Sequence, residues 1–160
     1  MKKITTLLLS SFLLVGAVAC SEAEKTSANA PAAPTQAAQT PDAETAQKNQ
    51  ADGTSDVRRA QANSDIRARE QRNNVAGNPE NRADGDLASE VRSKLEVNIP
   101  AGSLTVDAED GAVSVGGTVP TPEQLAKIEP LAKEIKGVKS VEVKATVAPA
   151  TPKANDNSKQ

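Results

Sequence analysis

Large aliphatic residues are distributed very unevenly along this 160-residue chain. Residues 21–83 contain three Ile, Leu or Val residues, residues 84–147 contain eighteen, and residues 148–160 contain none. A segment needs buried apolar surface to offset the conformational entropy that folding removes. The sequence therefore predicts one small domain at residues 84–147, a disordered segment before it, and a disordered tail at residues 148–160.

Composition excludes several classes of function. The chain has no His, Trp or Tyr, and Met1, Phe12 and Cys20 are its only Met, Phe and Cys. After residue 20 there is consequently no thiol, imidazole or aromatic ring to build a Cys/His metal centre, a Ser–His or Cys–His nucleophile pair, or a base-stacking platform. We therefore expect no enzymatic activity, no cofactor and no metal.

The first nineteen residues have the pattern of a secretory signal peptide. Met1-Lys2-Lys3 precedes an apolar run over residues 4–18, which is shorter than the ~20 residues that a membrane-spanning helix needs. Two processing routes remain open. Ala17-Val18-Ala19 fits ordinary signal cleavage, whereas the same three residues followed by Cys20 resemble the lipobox of bacterial lipoproteins, in which the Cys is lipidated.

We favour lipidation of Cys20, because a lone Cys in an exported protein has no disulfide partner. Residues 20–83 are then a lipid-anchored, disordered tether, and the protein is held at a membrane of the cell envelope. Ser21, by resemblance to enteric lipoproteins, permits sorting to the outer membrane, where the domain would face the periplasm. The alternative is a soluble periplasmic or secreted protein.

The second half of the tether, residues 51–83, is rich in arginine. The repeated phrases Ser55-Asp56-Val57-Arg58 and Ser64-Asp65-Ile66-Arg67 can each start a helix, so transient helix is expected around residues 55–72. No apolar stripe is present to dock such a helix. These arginines either touch anionic lipid headgroups or acidic wall polymers, or belong to a solvated linker, which is the interpretation we favour.

Residues 84–97 are predicted to form a helix, because apolar residues recur there every four positions. Asp84 or Asp86 is expected to cap it. The stripe predicted to be buried consists of Leu87, Val91 and Leu95. The side predicted to be solvent-exposed contains Ser89, Arg92 and Glu96.

Two antiparallel strands are predicted next, over residues 103–107 and 113–119, where apolar and polar residues alternate. Asp110-Gly111 between them is a hairpin signal, because Gly111 supplies positive φ. Gly117 falls on the core face, which predicts either a bulge or close approach of a helix backbone.

A second helix is predicted over residues 121–136. Thr121 can cap it, Pro122 suits its first position, and Gln124 can complete a capping box. Gly137 is placed for the C-cap. Pro130 is expected to kink the helix or divide it in two.

A last strand is predicted over residues 138–147, with Val141, Val143, Ala145 and Val147 inward. Since the second helix is a crossover, this strand should run parallel to the second one. The predicted fold class is α+β: an α-β-β-α-β domain with a three-stranded sheet and two helices on one face.

Three motifs follow one another along residues 84–147: Asp86-Leu87 with Val91 and Leu95, Asp110-Gly111-x-Val113-x-Val115-x-Gly117-x-Val119, and Gly137-Val138-x-x-Val141. In this ordered set, the segment resembles a BON domain, the small envelope module named for bacterial osmotically inducible and nodulation proteins. The resemblance implies a periplasmic or outer-membrane protein that binds phospholipid or membrane interfaces and supports envelope integrity under osmotic and other stress. Family members often have two copies of the domain, and this chain has one.

Charge argues against nucleic acid as a partner, because residues 21–160 contain 17 basic and 21 acidic residues. Basic residues nevertheless collect late in the domain, at Lys133, Lys136 and Lys139, which we predict as the candidate site for anionic lipid or a protein partner. Two functions follow: a phospholipid-binding module, or an adaptor for an envelope protein or wall polymer that uses its lipid only as a tether. The oligomeric state is not predicted.

Overall fold

The predicted order of helix, strand, strand, helix and strand is present in the computed structural model of the chain, which describes residues 23–78 and 82–148. The predicted signal peptide, Cys20 and the tail beyond Ala148 lie outside the described residues. The elements in chain order are β1 (Glu24–Lys25), α1 (Ala43–Thr54), α2 (Asp56–Ala76), α3 (Asp84–Asn98), β2 (Ser103–Glu109), β3 (Ala112–Val119), α4 (Pro122–Lys133), β4 (Ser140–Val143) and β5 (Thr146–Val147).

The strands form one mixed sheet in the order β1-β2-β3-β4, with β5 paired to β3. β2 and β3 are antiparallel, whereas β4 and β5 run parallel to β3, as the crossover through α4 predicted. The α+β class is confirmed. The sheet exceeds the three predicted strands because β1 pairs with the edge of β2 and because the last strand is divided.

The last predicted strand is divided at Lys144 and Ala145. The N–H groups of both residues donate to the carbonyl of Val115, with N–O distances of 2.7 and 3.1 Å. Two donors on one acceptor interrupt the regular ladder of hydrogen bonds. The predicted inward side is nevertheless confirmed, because Ala145 belongs to the core and the neighbouring valines Val141, Val143 and Val147 pack against it.

The hydrophobic core lies between the sheet and the helices α3 and α4. The predicted stripe of α3 is confirmed, since its three aliphatic residues are fully buried. On α4, Ile128 and Ala132 are buried. The stripe residues of α3 are Leu87, Val91 and Leu95, and the strands contribute Leu104, Val106, Val113, Val115 and Val119.

Two positions in the hairpin require glycine. At the tip, Asp110 and Gly111 have φ angles of 51° and 88°, as a two-residue type I′ turn needs. In β3, Gly117 has φ of 113°, and a Cβ there would lie 2.1 Å from the carbonyl oxygen of Ser103. The expectation of a bulge or an approaching helix is wrong, because the register is unbroken and the close backbone belongs to β2.

Helix α4 begins as predicted, since the Thr121 hydroxyl accepts a hydrogen bond from the Gln124 N–H at 3.3 Å. The reciprocal half of the capping box is missing, because Gln124 Oε1 is buried without a partner among the described residues. The helix is not divided at Pro130, which lies on the exposed side, where water can solvate the carbonyl that loses its donor. The helix ends at Lys133 with Glu134 as its C-cap, so the prediction of a helix to residue 136 with Gly137 at the C-cap is wrong. Gly137 (φ 97°) follows in the turn beyond the helix.

The structure differs from the expected disordered tether over residues 43–76, where it has α1 and α2. Asp42 and Ser55 cap these helices through their side-chain oxygens. As predicted, α2 has no apolar stripe: Val57 and Val75 are 72% and 87% exposed. Its contacts with α3 include several ion pairs, which become visible only when both helices are considered together.

The polar face of the sheet is covered by the chain near its start. The Thr26 hydroxyl accepts a hydrogen bond from the N–H of Leu104 at 2.9 Å, and Thr105 Oγ1 donates to the carbonyl of Pro31. Pro34 lies so close that a Cβ on Gly116 would be 2.1 Å from its carbonyl oxygen. Residues 24–36 are thus part of the folded unit.

Candidate functional site

The three predicted site lysines lie together in sequence at the end of α4. We call Lys133, Lys136 and Lys139 the lysine face; all three are exposed. Lys133 is the last residue of α4, and Lys139 directly precedes β4. The turn between them is closed by the Val138 N–H, which donates to the carbonyl of Ile135 at 3.2 Å. Cations suit this position because the last carbonyls of a helix carry partial negative charge.

The three lysines have different surroundings. Lys133 Nζ donates to Glu129 Oε1 at 2.6 Å, and Lys139 Nζ donates to the carbonyl of Asp110 at 2.9 Å. Lys136 makes no ion pair within the part of the chain that the structure describes. The face can therefore accept an anion directly at Lys136 and by exchange of exposed partners at the other two positions.

A buried ion pair lies directly beneath Lys136. Arg82 Nη1 donates to the Lys136 carbonyl at 2.9 Å, and Arg82 Nη2 donates to Glu90. Burial raises the pKa of the Glu90 carboxyl above its ordinary value, and the hydrogen bond and charge of Arg82 oppose that rise. Arg82 thus fixes the backbone that presents Lys136. Sequence reasoning missed this role and counted Arg82 with the tether.

The side of α3 that was predicted to be solvent-exposed is largely covered. Ser89 and Glu96 are buried, and Arg92 is half-buried. The predicted caps are also wrong: Ala83 is the N-cap and makes no side-chain cap bond. Asp84 instead accepts a hydrogen bond from the Asp110 N–H at 2.8 Å, which ties the start of α3 to the hairpin tip.

Arginines of α2 cover this side of α3. Arg58 pairs with Glu96, and Arg69 and Arg72 both pair with Asp86. The sequence contained one signal for this contact: basic positions on α2 and acidic positions on α3 each recur at helical spacing. When residues 51–83 are considered alone, no acidic helix face is apparent with which these arginines could pair.

The described residues offer no alternative chemical centre. One open groove of about 1000 Å³ lies between α1 and the segments around Thr26 and Pro100, and most of the residues that line it are polar or charged. Within the described ranges, no cluster of three His, Cys, Asp or Glu residues could hold a metal ion. None of the helices described is long and apolar enough to span a membrane.

Comparison with known proteins gives one match. The family model described as BON domain matches residues 83–149. These residues contain α3, the β2–β3 hairpin, α4, both short parallel strands and the whole lysine face. No curated protein and no solved structure matches the chain.

Proposed function

We propose that this chain, in which residues 83–149 match the BON domain family, is an envelope protein whose lysine face binds anionic phospholipid. BON domains are a non-catalytic binding family, associated in general with phospholipid and membranes and typically with the cell envelope. For this chain the finer proposal is a peripheral, charge-driven contact with the bilayer surface. It supports envelope integrity under stress.

The exposure of the lysine face is the observation that carries this proposal. Three cations follow one another within seven residues at a helix C-terminus, and the backbone beneath Lys136 is held by Arg82. The chain has no aromatic residue after Phe12 that could wedge between lipids. Binding should therefore depend on electrostatics and weaken as salt screens the lysines.

A lipid on Cys20 would hold this domain close to its membrane. Glu24 of β1 already pairs with Val106 of β2. Three residues lie between Cys20 and Glu24, and the four steps from one Cα to the next span at most about 14 Å when fully extended. We propose that the lipid anchors the protein in the outer membrane and that the domain faces the periplasm. As long as β1 stays paired with β2, only the short segment before Glu24 links the domain to the lipid.

Vesicle co-sedimentation of the full chain carrying Cys20→Ala tests the lysine face without the lipid. Vesicles containing phosphatidylglycerol should bind it at low salt, and pure phosphatidylcholine vesicles should not. Each lysine contributes on the order of 1 kcal/mol near an anionic surface. The variant Lys133→Glu/Lys136→Glu/Lys139→Glu should therefore weaken binding by at least about a hundredfold.

The matched control is Lys25→Glu/Lys48→Glu/Lys127→Glu, which makes the same charge change at three other exposed lysines. If both triple variants weaken binding equally, net charge and not the lysine face is responsible. If the full chain fails to bind anionic vesicles at all, the proposal falls, and the adaptor function becomes the working hypothesis.

A further inference from the structure

The side of α2 that contacts α3 consists largely of charged groups. Arg58, Ala62, Asp65, Arg69 and Arg72 recur at intervals of three or four residues and so share one face of the helix. Besides the arginine pairs described above, Asp65 lies 3.6 Å from an Arg92 nitrogen. Ala62 is the buried hydrophobic residue of this helix. We call Arg58, Arg69 and Arg72 the arginine face.

The surface of α3 beneath the arginine face is polar as well. Asp86, Ser89, Ser93 and Glu96 recur at intervals of three or four, on the side opposite the stripe through Val91. Separating α2 from α3 would therefore expose polar groups and leave the apolar core covered. Little hydrophobic free energy opposes such a separation.

Several polar atoms of these two helices lack hydrogen-bond partners. Among the described residues, Arg69 Nε, Arg92 Nε and Ser93 Oγ are buried without one. Arg69 Nε belongs to α2, so water would solvate it if the helices separated, which favours the open form, whereas Arg92 Nε also lies 3.7 Å from a carboxylate oxygen of Glu24 in β1. Most of the ion pairs between the two helices are partly exposed and stabilise the docked form only modestly, whereas Glu96 in the Arg58 pair is buried. The contact is thus suited to be reversible.

We propose that the arginine face of α2 is a second binding surface for anionic phospholipid, and that α3 occupies it until a bilayer displaces it. The acids of α3 and the lipid phosphates compete for the same guanidinium groups, so docking and lipid binding exclude each other. This surface lies outside residues 83–149. The inference rests on the proposed function only in that an anionic membrane is the ligand.

The geometry fits an extended anionic surface better than a single small anion. Residues 58 and 72 are about 21 Å apart along an α-helix at 1.5 Å per residue, which spans several lipid headgroups. Guanidinium groups bind phosphate through two parallel hydrogen bonds, as they bind carboxylate. A bilayer can therefore replace all the pairs of the arginine face at once.

A distance measurement tests whether α2 leaves α3. In the full chain with Cys20→Ala, spin labels would be placed at Val75→Cys on α2 and at Ala126→Cys on α4, both exposed positions. Pulsed electron spin resonance should give one narrow distance distribution at low salt without lipid. Vesicles containing phosphatidylglycerol should shift the distribution to longer and broader distances, whereas phosphatidylcholine vesicles should leave it unchanged. Salt at 0.5 M should produce a smaller shift in the same direction, because it screens the ion pairs between the helices.

A charge variant tests the competition. Asp86→Asn removes the carboxylate that holds Arg69 and Arg72, so a larger fraction of the protein should be open and affinity for anionic vesicles should rise about threefold. Glu109→Gln is the matched control, because it makes the same charge change at an exposed end of β2. Circular dichroism would show that both variants stay folded. Equal effects of the two variants would overturn the competition.

The outcomes separate this inference from the proposed function. If vesicle-bound protein keeps the short distance and depends on the lysine face, the inference is wrong and the proposed function stands. If the lysine variant still binds vesicles and α2 is released from α3, the inference stands and the role of the lysine face is wrong. Release by soluble polyphosphate but not by vesicles would overturn lipid as the ligand. Absence of vesicle binding would overturn both.

Discussion

Arg82 and Glu90 form an ion pair with only 2% and 1% of their side chains exposed. Arg82 precedes α3, and Glu90 lies within it. Because Arg82 also donates to the carbonyl of Lys136, one guanidinium joins the segment before α3, the helix itself and the turn after α4. The folded unit therefore includes Arg82, which precedes residue 84, the position at which the sequence analysis placed the start of the domain.

Replacement of Arg82 by Ala should strongly destabilise the fold. It leaves the Glu90 carboxylate buried without its partner, a change that costs about 3–5 kcal/mol in such sites. The measurement is the free energy of unfolding from urea titration at pH 7. Arg59→Ala, at an exposed position of α2, is the control and should change this value by less than about 0.5 kcal/mol. Similar values for the two variants would contradict a role for the pair.

Stability should depend on pH through Glu90. Its pKa is raised in the folded state, chiefly by burial, above the ordinary glutamate value of 4.5. Its contribution to stability is therefore fully present below pH 4.5 and is lost as pH rises through the folded-state pKa. Glu90→Gln removes this titration. The difference in unfolding free energy, wild type minus Glu90→Gln, should fall between pH 4.5 and 7; a flat or rising difference would refute the prediction.

Two glycines should respond oppositely to the same substitution. Gly117→Ala should destabilise the protein by at least about 2 kcal/mol, because φ of 113° disfavours a side chain and the new Cβ meets the Ser103 carbonyl. Gly85 lies in α3 with no atom within 4 Å of an added Cβ. Gly85→Ala should therefore stabilise the protein by about 0.5–1 kcal/mol. Urea unfolding of both variants checks the sign of each change.

The lipid anchor is tested by fractionation. Wild-type protein should partition with envelope membranes, and Cys20→Ala should move to the soluble envelope fraction, because the proposed attachment needs the thiol. Mass spectrometry of the mature N-terminus should show a lipid on Cys20. Soluble wild-type protein with a free thiol would instead indicate ordinary signal cleavage.

Local patterns predicted the best-defined elements. Thr121 and Pro122 identified the start of α4, and Asp110-Gly111 identified the hairpin, because caps and tight turns depend on the conformations of adjacent residues. The buried stripe of α3 followed from its periodicity. The lysine face was proposed from the sequence and stays a prediction, whereas the hydrogen bond from Arg82 to the Lys136 carbonyl was not anticipated.

Contacts between segments distant in sequence were not predictable in the same way. Asp84 and Asp86 looked like caps, yet one holds the hairpin tip and the other holds two arginines of α2. Gly117 was recognised as unusual, but the backbone that approaches it could not be named. Each case depends on which element lies opposite, and one sequence contains no direct record of that.

The sequence by itself determined which part of the chain has a core, because apolar burial scales with the number of aliphatic residues and their spacing. It also determined the α+β order, since turn and cap signals act over a few residues. Only the tertiary structure decided what becomes of the arginine-rich segment and of the residues near the start of the chain. Ion pairs and strand pairing need a partner at a particular place, and that place exists only once the core has brought the elements together.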